Sequence, residues 1–138
     1  MNAFRLFIDT APVIYFLDND PRYAEKVKYI LDEAITKGTE IITSAITVAE
    51  YLIYPYRTGK IEKADIFFNF IRDIGILIVP IDTVTADKAA RIRAEYKFFK
   101  TMDALQLASA CIYGCDVFLT NDKQLCQFRE IRCVTLEE

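Results

Sequence analysis

Four short apolar runs alternate along this chain with stretches of helical periodicity, a fifth closes it, and no two are joined by a hairpin signal. The runs are Phe4–Ile8 (FRLFI), Glu40–Thr43 (EIIT), Ile76–Ile81 (ILIVPI), VFLT at 117–120 and CVTL at 133–136. They are continuously apolar instead of alternating with polar residues, as strands buried on both faces are. Strands of that kind separated by helices imply a parallel sheet. The expected fold is therefore α/β, with three layers (α/β/α) and a mainly parallel central sheet, in a single domain over residues 1–138.

The helical stretches have recognisable ends. Thr10 reads as a cap with Pro12 in the first turn, and Asp18-Asn19-Asp20-Pro21 as the turn that closes that helix. Tyr23, Val27, Ile30, Leu31 and Ala34 mark a helix over Arg22–Lys37, stopped by Gly38. Ser44 or Thr47 caps a helix that is expected to end before Pro55. Further helices are expected over Ile61–Ile74 and Thr85–Phe98, the latter basic on one side.

The stretch from Thr101 to Asp122, TMDALQLASACIYGCDVFLTND, carries an acid at each outer end of a helix–turn–strand unit. Asp103 lies at the helix start and Asp122 where the strand must stop. Asp9 ends the first strand in the same way. If the first and fourth strands are neighbours, Asp9 and Asp122 face one crevice at the carboxyl edge of the sheet, where α/β proteins place their chemistry. Glu50 lies in an otherwise apolar helical stretch, ITVAEYLIY. Each acid taken alone reads as a cap or a solvated position. Two at strand ends and two in apolar helical settings are hard to explain as four unrelated caps.

The chain contains no histidine. That removes Ser-His-Asp and Cys-His nucleophile systems, histidine acid–base catalysis and histidine-ligated zinc. Four clustered carboxylates would repel one another and raise each other's pKa values, a penalty that a divalent cation relieves. Oxygen ligands alone favour Mg²⁺ or Mn²⁺, an ion that activates water and clamps a phosphate oxygen. A net charge of −3 argues against a chain that coats nucleic acid through bulk positive charge, but not against a nucleic-acid enzyme. Cys111, Cys115, Cys126 and Cys133 form no C-x-x-C pair and read as reduced core thiols. No apolar run approaches a membrane span and no signal segment opens the chain, so a cytoplasmic location is expected.

With FIDTAPVIYFL around Asp9, ITVAEYL around Glu50, TMDALQLASA around Asp103 and FLTND around Asp122, the sequence resembles the PIN-domain nucleases over essentially its whole length. The resemblance is closest to the small VapC-like toxins of toxin–antitoxin pairs. It implies a Mg²⁺- or Mn²⁺-dependent endoribonuclease that leaves a 5′-phosphate, forms a homodimer and is inhibited by a cognate antitoxin whose tail enters the active-site groove. Asp9, Glu50, Asp103 and Asp122 match the family's acidic ligands. Thr10, Thr120 and Asn121 match polar positions that line the site. Some relatives carry a further acid after the last motif, where this chain reads Lys123-Gln124-Leu125, so a four-acid site is expected.

Lys100, Arg91, Arg93 and Lys123 are candidates for gripping the RNA backbone, against the plainer reading of solvated charges. Tyr15, Phe16, Tyr51, Tyr54 and Tyr56 are candidates for base stacking or antitoxin docking, against packing in the core or a dimer face. The helices around Tyr51–Phe70 are the expected dimer face. Other classes fit less well. A haloacid-dehalogenase phosphatase needs a second acid where this chain has Ala11, and no G-x-G-x-x-G loop exists for a dinucleotide. The alternatives are a PIN fold used as a non-enzymatic binding or scaffold module and a non-toxin PIN nuclease in RNA processing.

Overall fold

The computed structural model describes residues 4–137. Its first strand, β1 (Arg5–Ile8), leads into α1 (Thr10–Leu17), followed by α2 (Ala24–Thr36), β2 (Glu40–Ser44), α3 (Ala45–Arg57) and α4 (Ile61–Ile74). Then come β3 (Leu77–Val79), α5 (Thr83–Glu95), α6 (Thr101–Ile112), β4 (Val117–Thr120), a 3-10 helix (Lys123–Gln127) and β5 (Arg132–Thr135). All five strands pair in parallel, in the order β3-β2-β1-β4-β5. The α/β class and the parallel sheet read from the sequence are what the chain forms.

Side chains alternate across the sheet and separate two cores. Leu6, Ile8, Ile41, Val117 and Leu119 face one layer, which contains Val13, Val27, Leu31, Tyr51 and Phe67 from α1–α4. Phe7, Ile42, Val79 and Phe118 face the other, against Ala89, Ile92, Ala104 and Leu107 from α5 and α6. Phe7 and Phe118 stack across the β1–β4 pair, with ring centroids 5.3 Å apart. Small residues in α6 (Ala104, Ala108, Ala110) are fully buried, which lets that helix lie close against the sheet.

The strand order decides where a site can form. The chain steps outward from β1 through β2 to β3, then crosses back to place β4 on the other side of β1. The order of connection therefore reverses between β1 and β4, and a crevice opens beyond their carboxyl ends. Ile8 is in register with Leu119, and the Asp9 amide donates to Leu119 O at 2.9 Å. Asp9 and the residues after β4 thus meet at one edge.

Several boundaries differ from the sequence reading. Asp9, not Thr10, caps α1 and accepts from the Thr10 amide; Thr10 is the first helical residue. Helix α3 continues through Pro55 to Arg57. Proline removes one helical donor there, but its ring is buried in the last turn, and the helix ends two residues on. Strand β3 is shorter than Ile76–Ile81, because Pro80 has no N–H to extend the ladder. Helix α5 starts earlier than Thr85, where Asp82 accepts from the Thr85 amide, and it stops at Glu95 instead of Phe98.

The four cysteines do not all remain thiols. Cys126 and Cys133 form a disulfide across the loop between the 3-10 helix and β5, with Cα atoms 5.0 Å apart. Pairing of β5 with β4 returns the chain over that helix and brings the two within bridging distance. Cys111 and Cys115 stay free, and burial raises both thiols, that of Cys115 to about 12. Among the described residues, no helix is long and apolar enough to cross a membrane.

Candidate active site

The site begins with a buried polar layer beneath Asp9. Both oxygens of its carboxylate accept hydrogen bonds. Oδ1 takes the Thr10 amide at 2.9 Å and Gln106 Nε2 at 3.2 Å, and Oδ2 takes the Thr120 hydroxyl at 2.8 Å. Gln106 is only 2% exposed. Its amide nitrogen also donates to Thr47 Oγ1 at 2.9 Å, and its carbonyl accepts from the Ser44 hydroxyl. Ser44 in turn caps α3 through the Ile46 amide. The Thr43 hydroxyl reaches Ile8 O at 2.8 Å. Residues from β1, β2, α3, α6 and β4 are thus tied together below one carboxylate, and each buried polar group has its partners there.

Above this layer lies an open cleft of about 470 Å³, lined by Glu50, Phe98, Lys100, Thr101, Met102, Asp103, Asp122 and Gln124. Glu50 accepts from the Thr10 hydroxyl at 2.6 Å, so α3 is tied to the start of α1. Asp103 is in the first turn of α6 and half-buried. Asp122 caps the 3-10 helix, accepting from the Gln124 amide at 3.0 Å, and its own amide donates to Thr120 Oγ1. For Asp9 and Asp122, capping and site position coexist.

Charge crowding is visible in two of the four acids. Burial raises Asp9 above the usual carboxylate range, despite hydrogen bonds from Thr120, Thr10 and Gln106 that pull it down, and the Asp103 charge adds to the rise. Asp103 is raised first by burial, then by Asp122 and, more weakly, Glu50, while its contacts with Lys100 oppose the rise. Among the described residues no three acidic or cysteine side chains stand close enough together to hold a metal ion as placed. The acids instead line an open cleft with oxygen donors alone. That donor set fits Mg²⁺ or Mn²⁺, which bind through a few carboxylates and keep positions for water and phosphate oxygens.

The basic candidates are dispersed. Lys100 lines the cleft. Arg93 donates to the Thr101 hydroxyl at its rim, at 2.9 Å. Arg91 turns to Asp87 one helical turn back, at 2.9 Å. Lys123, beside Asp122 in sequence, lines a different hollow of about 500 Å³ with Arg132 and the Cys126–Cys133 pair. Asn121 turns from the cleft to the Tyr15 hydroxyl at 3.3 Å.

Three of the aromatic candidates pack within the molecule. Tyr15 stacks on Tyr23, Phe16 lies against Phe70 and Tyr51 stacks on Phe67. The Tyr51 hydroxyl, pushed up to about 12 by burial and by Asp18, stays protonated. Tyr54 and Tyr56 are exposed.

Gln106 is the site residue that sequence reasoning missed. Its signal was a glutamine in a helix of small apolar residues, one turn after Asp103. A buried amide needs several partners, and at that position they come from the sheet edge. Thr47 was read only as a cap; it is fully buried in the same layer.

Comparisons with known proteins bear on the family and the fold. A family model described as PIN domain matches residues 6–131. The chain therefore belongs to the PIN domain family. Among solved structures it is similar to VapBC2 from Rickettsia felis bound to a DNA fragment from its promoter, with a TM-score of 0.80 at 14% identity, covering 97% of this chain and 100% of that one. It is also similar to a toxin–antitoxin complex from Klebsiella pneumoniae, with a TM-score of 0.73 at 20% identity over 96% and 98%. A third is VapC20 of Mycobacterium tuberculosis, described as a sarcin-ricin loop cleaving toxin, with a TM-score of 0.68 at 14% identity over 92% and 98%. Comparison with curated proteins gives no match.

Proposed function

We propose that this chain is the toxin of a toxin–antitoxin pair and acts as a Mg²⁺- or Mn²⁺-dependent endoribonuclease. The observation that carries this reading is the gathering of Glu50, Asp103 and Asp122 around one cleft over the hydrogen-bonded Asp9. The PIN family match supports nuclease chemistry, and the toxin–antitoxin neighbours support a protein antitoxin as partner. That one neighbour is described as cleaving the sarcin-ricin loop supports RNA as substrate.

In this mechanism Asp9, Asp103 and Asp122 would hold the ion directly or through water. Glu50 would complete the shell or orient the attacking water. When bound, the ion supplies charge neutralisation at the phosphate and a water of lowered pKa. The buried Thr120–Gln106–Thr10 contacts hold the Asp9 carboxylate in one orientation, so it need not reorganise when substrate arrives. Lys100 brings a positive charge into an otherwise acidic cleft, where it meets the phosphate backbone. The expected homodimer would use the α3–α4 surface, where Ile53, Tyr54, Ile61 and Phe68 are exposed.

The deciding experiment incubates the purified chain, free of antitoxin, with a pool of structured and single-stranded RNA. Mg²⁺, Mn²⁺ and EDTA are compared, with Asp9→Asn and Asp103→Asn in parallel. Cleavage that needs metal and disappears in both variants is expected. Equal faint cleavage by wild type and variants under every condition would leave the binding-module reading in its place.

A further inference from the structure

We infer that Phe98 is a stacking platform for an unpaired base of the RNA strand, placed so that the adjoining phosphodiester lies at the carboxylates. The inference rests on the nuclease reading above and adds the side chain that holds a base beside the carboxylates. Phe98 is 83% exposed, more than any other large apolar side chain among the described residues. An exposed phenylalanine on a loose loop would carry little meaning, but this turn is held firmly. Phe99 is 3% exposed and stacks on Tyr96 with centroids 5.0 Å apart, and Tyr96 lies edge-on against Phe128 at 5.4 Å. The Phe99 amide closes the turn by donating to Tyr96 O at 3.2 Å. The anchoring of Tyr96 and Phe99 leaves Phe98 projecting outward between them.

Its position is as informative as its exposure. Phe98 lines the carboxylate cleft and also a second hollow of about 210 Å³, formed with Glu95, Tyr96, Lys97, Phe99 and Gln127. It therefore stands on the ridge between the two. Lys97 lies on the hollow side and Lys100 on the cleft side. An aromatic face flanked by cations beside a catalytic groove is the arrangement that binds single strands, where every base offers a π-face and the backbone follows the positive charge. Glu95, Lys97 and Gln127 supply donors and acceptors at the rim of the hollow, the groups that read the edge of an unstacked base. A protein docked on Phe98 would instead have to bury the neighbouring lysines and carboxylates, at a desolvation cost that a nucleotide phosphate partly offsets. A duplex keeps its bases stacked inward and has no use for such a ridge.

The test measures cleavage of a single-stranded oligoribonucleotide by wild type, Phe98→Ala and Phe98→Trp, with Mn²⁺ binding followed by calorimetry. In parallel, binding of the same RNA carrying 2-aminopurine is followed by fluorescence in the Asp9→Asn background, with and without Phe98→Ala. Loss of one stacked base should raise KM about tenfold and abolish most of the fluorescence quenching. Mn²⁺ affinity should be unchanged, and Phe98→Trp should restore KM. Unchanged KM and quenching in Phe98→Ala would overturn the inference while leaving the nuclease intact. So would unchanged KM together with loss of the dimer on a sizing column, which would make Phe98 a protein contact. Absence of metal-dependent cleavage by wild type would instead defeat the nuclease reading, and quenching that depends on Phe98 would still identify the stacking face.

Discussion

Asp9 and Asp122 follow neighbouring strands of one sheet, yet their surroundings are opposites. Under Asp9, both carboxylate oxygens are engaged and Thr10, Thr43, Ser44, Thr47, Gln106 and Thr120 are buried. Around Asp122 the chain is exposed: the acid caps a short 3-10 helix, and Lys100, Met102 and Phe98 stand open beside it. The contrast separates two tasks. The floor fixes one carboxylate through contacts gathered from five elements, while the rim leaves room for water, ion and a bulky substrate. A site built entirely like the floor would hold its acids well and admit nothing.

The strongest way to break this comparison is Gln106→Leu. It removes the acceptor of the Ser44 hydroxyl proton and a donor from both Thr47 and Asp9. Urea unfolding should show a loss of about 1–3 kcal/mol. Calorimetry should show Mn²⁺ affinity falling about 10–100-fold, as for other residues that orient ligands. Gln124→Leu, on the exposed rim, should stay within about 0.5 kcal/mol of wild type. Equal costs at the two glutamines would mean that floor and rim do not differ as described.

Comparable in stability, but without the loss of metal affinity, is the effect of the disulfide that holds the rim's 3-10 helix to β5. Replacing Cys126 and Cys133 by serine should cost about 2–3 kcal/mol in urea unfolding, by the loop-entropy argument. Wild type in reductant should match the double variant.

A smaller effect concerns pH. The folded pKa of Asp103 lies above its unfolded value, through burial first and then the Asp122 charge. Its ionised form is therefore disfavoured in the fold: the destabilisation is present above the folded pKa and is relieved as pH falls through it. Without metal, Asp103→Asn should be more heat-stable than wild type at pH 7, and the gap should close as pH is lowered through that raised pKa. Mn²⁺ should reverse the order at pH 7 by stabilising the wild type. The smallest expected change is at Lys100, where alanine should reduce the slope of log affinity for single-stranded RNA against log salt by about 0.7.

Much of this molecule was legible in its sequence. Apolar runs alternating with helical periodicity implied a parallel sheet, and acids at the ends of β1 and β4 implied a crevice. Glu50, Asp103 and Asp122 line one cleft, and Asp9 lies buried near enough for the Asp103 charge to raise it. Other features were hidden for different reasons. Pro55 looked like a stop because a local rule overlooks a ring that packs in the last turn. Lys123 looked like a site residue because it follows Asp122, but the 3-10 helix turns it toward β5.

Periodicity and end signals are local properties, set by each residue's neighbours within a turn or two. For that reason the sequence alone determined the class of fold, the number of strands and which acids stand at strand ends or within helices. Strand order, the Cys126–Cys133 bond, the Gln106 bridge between residues 59 and 97 positions away, and the outward set of Phe98 were decided only by the tertiary structure. Each depends on which distant segments pack side by side, and a buried amide or an exposed ring has no meaning until those segments are in place.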